Sequence, residues 1–447
     1  MKPKLKLLIT NSVTHIQGYA NLDKRVKEAA VRTLSYFSPS AKYSMAFKRG
    51  YWDGRVKCLS SDGKFPTGLL YRLAKDFDLR MEDTRVRPGP MYDFTWQGPE
   101  LRDYQAEILD ATEDYFRGIY EIPTRTGKTY VSAAIIEKYK QRSLLVVNSA
   151  ESMKEAAEVL SQCIGGAKVG ILGGGKNIDG NVVVAMMQTL CKKPELIKDF
   201  GLFIVDEVHL AAAETWYNTL LKSEAYWRYG QSGTVFREDN ADIRFYANTG
   251  PLFYHIPLTQ MWENDVVMKP EIKWVKFRAP MLHGGINYAN VYQLGIVENE
   301  ARNQEVLALV KKLQKESTMV SVESINHLNI LSKLFSDNAI PHVVIHGEAE
   351  NRDSDYQDFK SGKVKVAIAS RVLNTSVTLP DLAHLVNAAG KKSEVELTQK
   401  LGRILGKGNK VRVCYYDFVD AHSKILMKHS MMRYRALKAA GHEQEGW

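Results

Sequence analysis

The sequence predicts an α/β protein built of two tandem units with parallel sheets, preceded by a small α+β domain. Three observations carry this. From about residue 100 onward, short apolar runs alternate with amphipathic stretches, as parallel strands and crossover helices do. The alternation lapses around 250 to 300 and then resumes. The first 95 residues instead set Asp-Gly pairs between apolar and aromatic residues, which favours tight hairpin turns. At 447 residues the chain is too long for one core, so a division into 1–95, 96–260 and 261–447 is expected.

The elements follow in order. In the first segment DKRVKEAAVRTLSYF supplies a helix, and YWDGRVKCL and SSDGKFPTGLLYRL supply hairpins. The Pro/Gly-containing VRPGPMYDFTWQGPE links it to the rest. SLLVVNSA (143–150), NVVVAMM (181–187) and LFIVDEVH (202–209) read as buried strands ending in polar residues, with the helix AESMKEAAEVLSQC between them. In the second unit TMVSVES, PHVVIHG, KVKVAIAS, HLVNAAG and KVRVCYYDF are the strand candidates. NHLNILSKLFSDN and SEVELTQKLGRIL are the helix candidates between them. LMKHSMMRYRALKAAGHE, at the end, reads as a packed helix with a solvated basic face.

Composition narrows the function classes. Hydrophobic residues make up 45% and charged residues 25%, which excludes wholesale disorder. The net charge of +10 is concentrated at the front, where residues 1–100 hold 18 Lys and Arg against 10 Asp and Glu. Such a segment calls for a polyanion, nucleic acid before an acidic membrane. Cys58, Cys163, Cys191 and Cys414 show no metal spacing and suit a reduced, cytoplasmic protein. No run is long enough to span a membrane, and the amino terminus makes a poor signal peptide. The eleven histidines show no H-E-x-x-H spacing, and GQSGT (230–234) lacks the last glycine of a nucleophile elbow. GGGK (173–176) suits a flexible turn and a nucleic-acid-contacting loop equally well.

The chemistry concentrates in two stretches. IPTRTGKTYVSAA (122–134) delivers Thr-Gly-Lys-Thr to a helix start, where backbone N–H groups and the positive helix end attract phosphate. Lys128 would neutralise the β- and γ-phosphates of ATP and Thr129 would ligate Mg²⁺, although Ile122 stands where the usual loop has its first glycine. LFIVDEVH ends a hydrophobic strand with Asp206, suited to Mg²⁺, and Glu207, suited to orient and deprotonate water.

The order LRDYQ (101–105), PTRTGKT (123–129), MQT (187–189), DEVH (206–209), SGT (232–234), IASRVLNTSVTLP (368–380) and QKLGRILG (399–406) resembles the motif series of superfamily 2 helicases, in their DExH branch. The resemblance implies two RecA-like domains with ATP and Mg²⁺ between them. It implies nucleotide contacts from Arg102, Tyr104, Gln105, Thr124, Arg125, Thr126, Gly127, Lys128 and Thr129, with Gln105 reading adenine. His209, Ser232, Gly233 and Thr234 would couple hydrolysis to movement. Gln399 and Arg403 would reach the nucleotide from the second domain, Arg403 as an arginine finger. The sequence departs from the pattern at Ser376 and Thr378, where Gly and Asp are common, and at Gly406, where a second arginine is usual.

FKRGYWDGRVKCLSSDGKFPTGLLYRL (47–73) resembles the N-terminal domain of phage UvsW-type recombination helicases, which implies action on branched DNA: forks, Holliday junctions, D-loops and R-loops. Lys48, Arg49, Tyr51, Trp52 and Arg55 mix cations with aromatics, as phosphate contact and base stacking require. Trp52 also suits a small core. Further DNA contacts are expected at strand ends: Ser149, Gln188 and Thr189 in one unit, Ser324, Asn374 and Thr375 in the other. The expected protein is a monomeric, cytoplasmic DNA motor. An RNA helicase, or a weakly catalytic nucleic-acid-binding scaffold, is the alternative.

Overall fold

The computed structural model describes residues 2–123, 126–233, 242–264, 266–282, 287–347, 352–370, 382–391 and 412–447. The chain forms two compact units: residues 1–122 with 127–256, and residues 257–447 with the short segment 123–126.

The first unit opens with β1 (Lys4–Ile9), β2 (Val13–Ile16), β3 (Ser35–Phe37), β4 (Arg55–Lys57), β5 (Lys64–Pro66) and β6 (Asp78–Asp83). Four of them form a sheet in the order β5-β2-β1-β6, with β6 parallel to β1. In β1 the Leu5, Leu7 and Ile9 side chains point inward while Lys4 and Lys6 face solvent, the period-two pattern of a sheet buried on one face. The helix Lys24–Thr33 is capped by Asp23, which accepts from the Arg25 amide. Ala30 on that helix joins Leu69, Leu73 and Phe77 in the core, which also takes in Ile243 and Ala247 from the helix Asp242–Thr249. At Gly68 a Cβ would lie 2.3 Å from the Tyr246 carbonyl oxygen, so only glycine permits this approach.

The two Asp-Gly pairs do not make the expected hairpins. β4 pairs with β3 and β5 with β2, so neither Asp53-Gly54 nor Asp62-Gly63 joins two partnered strands. Asp53 instead accepts from the Arg55 amide 3.0 Å away, and Gly54 packs beneath Phe37. These are local side-chain-to-backbone turns that redirect the chain.

Next come β7 (Thr95–Trp96), β8 (Arg117–Glu121), β9 (Ser143–Val147), β10 (Ile164–Gly165), β11 (Val169–Gly173), β12 (Lys176–Ile178), β13 (Val182–Met186), β14 (Leu202–Asp206), β15 (Trp227–Ser232) and β16 (Leu252–His255). Eight of these form one sheet in the order β12-β11-β13-β9-β14-β15-β8-β16, parallel throughout except for β12. β9, β13 and β14 are continuous apolar runs because helices cover both faces of a parallel sheet. GGGK is the tight turn of the β11–β12 hairpin.

The second unit contains β17 (Glu271–Lys276), β18 (Thr318–Val322), β19 (His342–Ile345), β20 (Val366–Ser370), β21 (His384–Asn387), β22 (Cys414–Val419) and β23 (Gln444–Glu445). They make an all-parallel sheet in the order β19-β20-β18-β21-β22-β17-β23. On the final helix, Lys424–Ala439, Lys428, Arg435 and Lys438 face solvent as expected. Arg433 does not: it is buried, and its Nε and Nη2 donate to the two Asp417 carboxylate oxygens at 2.8 and 3.0 Å. Two parallel sheets, each flanked by helices, are the two RecA-like domains the sequence predicts.

Candidate functional site

The site lies at the carboxyl ends of β8, β14 and β15, adjacent strands in the order β14-β15-β8. The loop after β8 ends at Gly127, whose φ of +81° is a conformation L side chains rarely adopt. The helix Lys128–Tyr139 starts immediately after it. Thr126 is buried and donates to the Pro123 carbonyl at 2.6 Å, tying the loop to itself. Gln105 is also drawn in. Its Oε1 accepts from the Arg102 amide at 3.0 Å and its Nε2 lies 3.5 Å from the Gly127 carbonyl. The amide expected to read adenine is therefore engaged with its own helix start and the loop, while Arg102 donates to the Tyr104 hydroxyl at 3.1 Å.

Lys128 reaches the end of β14, two strands away, its Nζ donating to Glu207 Oε1 at 3.2 Å. Glu207 sits at φ +49°, one of three non-glycine residues at positive φ among the described residues. Such strain collects where the surrounding structure holds a residue for a purpose. Its other oxygen accepts from the Ser232 hydroxyl at 3.2 Å, and Ser232 also meets His209 Nδ1 at 3.0 Å. Glu207, His209 and Ser232, each anticipated from the sequence, are thus in direct contact. Thr129 follows Lys128 in the first helical turn, and Gly233 follows Ser232.

One connected group was missed. Gln231 donates to Asp206 Oδ1 at 3.1 Å and accepts from the Tyr120 hydroxyl at 2.7 Å and the Ser132 hydroxyl at 2.9 Å. All three supporting side chains are buried. Their only sequence signal is a polar residue inside an apolar run, next to a motif.

Burial pushes the Asp206 carboxyl up to about 6, with Lys128 opposing and the Glu207 charge adding. Burial also pushes Glu207 up, but Lys128 and then His209 outweigh it and hold it below the ordinary value. Two carboxylates therefore share one lysine, which leaves room for further positive charge. No group of three or more His, Cys, Asp or Glu among the described residues could cage a metal. That donor set fits Mg²⁺, which binds through one or two carboxylates with waters and phosphate oxygens completing its shell.

The expected polymer contacts fall at strand ends. Ser149 caps the helix Ala150–Cys163 after β9, accepting from the Ser152 amide. Gln188, after β13, donates to the carbonyl of Asn148, the residue before Ser149, at 3.0 Å, and Thr189 follows it. Ser324 caps the helix Ile325–Asp337 after β18. In the N-terminal lobe Lys48 and Arg49 are exposed, Trp52 is half-buried with its Nε1 donating to the Arg55 carbonyl at 2.9 Å, and Arg55 Nη1 donates to the Ser35 hydroxyl at 3.2 Å. Tyr43 and Tyr51 beside them are 73% and 82% exposed. Thr124, Arg125, Thr234, Asn374, Thr375, Ser376, Thr378, Gln399, Arg403 and Gly406 lie outside the described residues, as does the helix expected over 393–405.

Residues 98–237 match the res subunit of type III restriction enzymes, and residues 301–408 match the helicase conserved C-terminal domain. The chain belongs to the superfamily 2 helicases and is an enzyme of that class. Within it, the chain is similar to the ATP-dependent DNA helicase uvsW of Enterobacteria phage T4, at 23% identity over 91% of this chain and 90% of the relative. It is also similar to the DNA 3'-5' translocase XPB2 of Sulfurisphaera tokodaii, at 24% identity over 80% of this chain and 90% of that one. The solved structure of S. cerevisiae Dbp5 bound to RNA and ADP BeF3 shares the fold, with a TM-score of 0.53 at 16% identity over 76% of this chain and 88% of that one. No helix among the described residues is long and apolar enough to cross a membrane.

Proposed function

We propose that the protein is a monomeric, cytoplasmic ATP-dependent DNA helicase or translocase that remodels branched DNA. The observation that carries the ATPase reading is the Lys128–Glu207 contact beside Asp206, built at the carboxyl ends of parallel strands and at a helix start. Lys128 would hold the β- and γ-phosphates, and Thr129 and Asp206 would hold Mg²⁺, which supplies charge neutralisation when bound. Lys128 cannot serve the phosphates and Glu207 fully at once. As it turns away from Glu207, that carboxylate loses its first opposing cation, its proton affinity rises, and it becomes a better base toward water. Ser232 and His209, both touching Glu207, would transmit this change.

DNA as the polymer is supported by the printed names of the T4 and Sulfurisphaera relatives. The exposed Lys48, Arg49, Tyr43 and Tyr51 support contact with phosphates and unstacked bases at a junction. Arg403 and Gln399 remain the residues proposed to complete the nucleotide site, and Asn374 and Thr375 the polymer contacts. The test is ATP turnover by the wild type and Lys128→Ala with no polymer, duplex, single strands, forks, four-way junctions and RNA. Stimulation by forks and junctions, abolished in Lys128→Ala, is expected. Equal rates for the two proteins would sink the motor reading, and stimulation by RNA alone would sink the DNA reading. Replacing Lys48, Arg49 and Tyr51 together should weaken junction binding while basal hydrolysis persists.

A further inference from the structure

The first unit holds a cavity of about 760 Å³, well away from the nucleotide cluster, where the N-terminal lobe meets the start of β8. Volumes of roughly 300–1,000 Å³ are those of small-molecule sites. The wall is mainly apolar, with Leu70, Tyr71 and Phe77 from the lobe and Phe116 and Pro251 from the flanks of β8 and β16. Into this wall the fold sets Arg117, which is 7% exposed. Its Nη2 donates to the Asn11 carbonyl at 2.7 Å, while its Nε and Nη1 have no partner among the described residues.

The surroundings carry a small excess of positive charge. Arg85 and Lys2 also line the cavity, and buried Arg228 is the cross-strand neighbour of Arg117. Asp83 is engaged by Arg85, which lies over the Phe116 ring at 4.4 Å. Asp78 and Asp114, also on the wall, are exposed. Burial first, then Arg228 and Arg85, push the Arg117 guanidinium well below its ordinary range. A buried cation with incomplete hydrogen bonding and no salt bridge among the described residues is costly, and an anion held against it is attracted more strongly than in bulk water.

We propose that this cavity is a ligand site for an amphipathic monoanion of small-molecule size, an aromatic or aliphatic body ending in a carboxylate, with Arg117 reading the charge. The cavity wall comes from both the N-terminal lobe and the first parallel sheet, so an occupant ties the two together and stabilises the unit.

The probe is 4-phenylbutyrate, titrated into the full chain by calorimetry and thermal melting, with 4-phenylbutylamine and 4-phenylbutanol as comparators. The carboxylate should bind with a dissociation constant on the order of 0.1–1 mM and raise the melting temperature, and the amine at least about tenfold more weakly. Arg117→Met keeps the aliphatic stem and should weaken carboxylate binding at least about tenfold, leaving the alcohol unchanged. Met81→Glu, at the exposed rim, should do the same without touching the buried arginine. Equal affinity for carboxylate and amine overturns the proposal. So does an unchanged carboxylate affinity in both variants, or no binding of the carboxylate up to about 10 mM.

Discussion

The two units hold buried charge in opposite ways. In the second, Asp417 and Asp420 face Arg433 and Arg302: Arg302 Nε donates to Asp420 at 2.8 Å, and Arg433 grips Asp417 through two nitrogens. All four side chains are essentially inaccessible, and two negatives meet two positives. In the first, Asp206 and Glu207 share Lys128. The second cluster is balanced in charge without a ligand and serves the fold. The unbalanced one is complete only when further positive charge arrives, which is what an active site requires and a structural site avoids.

Neutralising one carboxylate in each cluster should therefore act in opposite directions. Asp206→Asn removes a charge that burial disfavours, and Gln231 can still donate to the remaining oxygen. ATP turnover should fall by about a thousandfold or more, while the melting temperature holds or rises by a few degrees. Asp417→Asn should do the reverse. Burial pulls the Arg433 guanidinium down, but Asp417 and then Asp420 more than offset it and leave it above its ordinary range. Removing the Asp417 charge strands a buried arginine, costs about 3–5 kcal/mol and lowers the melting temperature by about 10 °C. Turnover per folded molecule stays near wild type. Melting curves and ATPase rates on both variants decide it, and parallel changes in the two would erase the distinction between the clusters.

The second unit also carries a pH liability. His327 is buried, with one ring nitrogen 3.0 Å from Asn303 Oδ1 and the other without a partner among the described residues. Burial, then the Arg302 charge, lower its pKa to about 3. Burial, then Lys269, lower His442 to about 4. A histidine depressed in the folded state contributes stability that is fully present above its unfolded pKa near 6.5 and is lost as pH falls toward the folded value. Between pH 7 and 5 each should cost about 2 kcal/mol, and His327→Gln should flatten the stability-versus-pH curve of the second unit over that window. A curve as steep in the variant as in the wild type would remove His327 from the account.

Much of the fold was legible because a strand buried on both faces has to be a continuous apolar run. β9, β13 and β14 are largely such runs, and they lie inside the segments that predicted them. The contact between Lys128 and Glu207, 79 residues apart, was legible as part of the proposed nucleotide site because its motifs keep their order along the chain. The misses share a cause. Arg433 looked solvated because a helical repeat shows which face a residue lies on, not whether a carboxylate waits inside that face. The Asp-Gly pairs suggested hairpins because a turn signal does not name the strand that will pair beyond it, and β4 and β5 found partners earlier in the chain.

Gln231 offers the finest probe of the unbalanced cluster. It was invisible as one of three polar residues, with Arg228 and Ser232, in the buried run WRYGQS, yet it joins Asp206 to Tyr120 on β8 and Ser132 on the helix after the loop. Gln231→Leu keeps the volume and leaves two hydroxyls and one carboxylate oxygen without it. Turnover should fall about tenfold, from loss of Asp206 orientation, and stability by about 1 kcal/mol, because the two hydroxyls, 3.3 Å apart, keep only each other. Tyr120→Phe, which removes a hydroxyl and leaves the Gln231–Asp206 bond intact, should reproduce part of the stability loss with little effect on turnover. If the two variants slow ATP hydrolysis equally, Gln231 acts through packing alone, and the positioning of Asp206 rests on Lys128 and the β14 backbone.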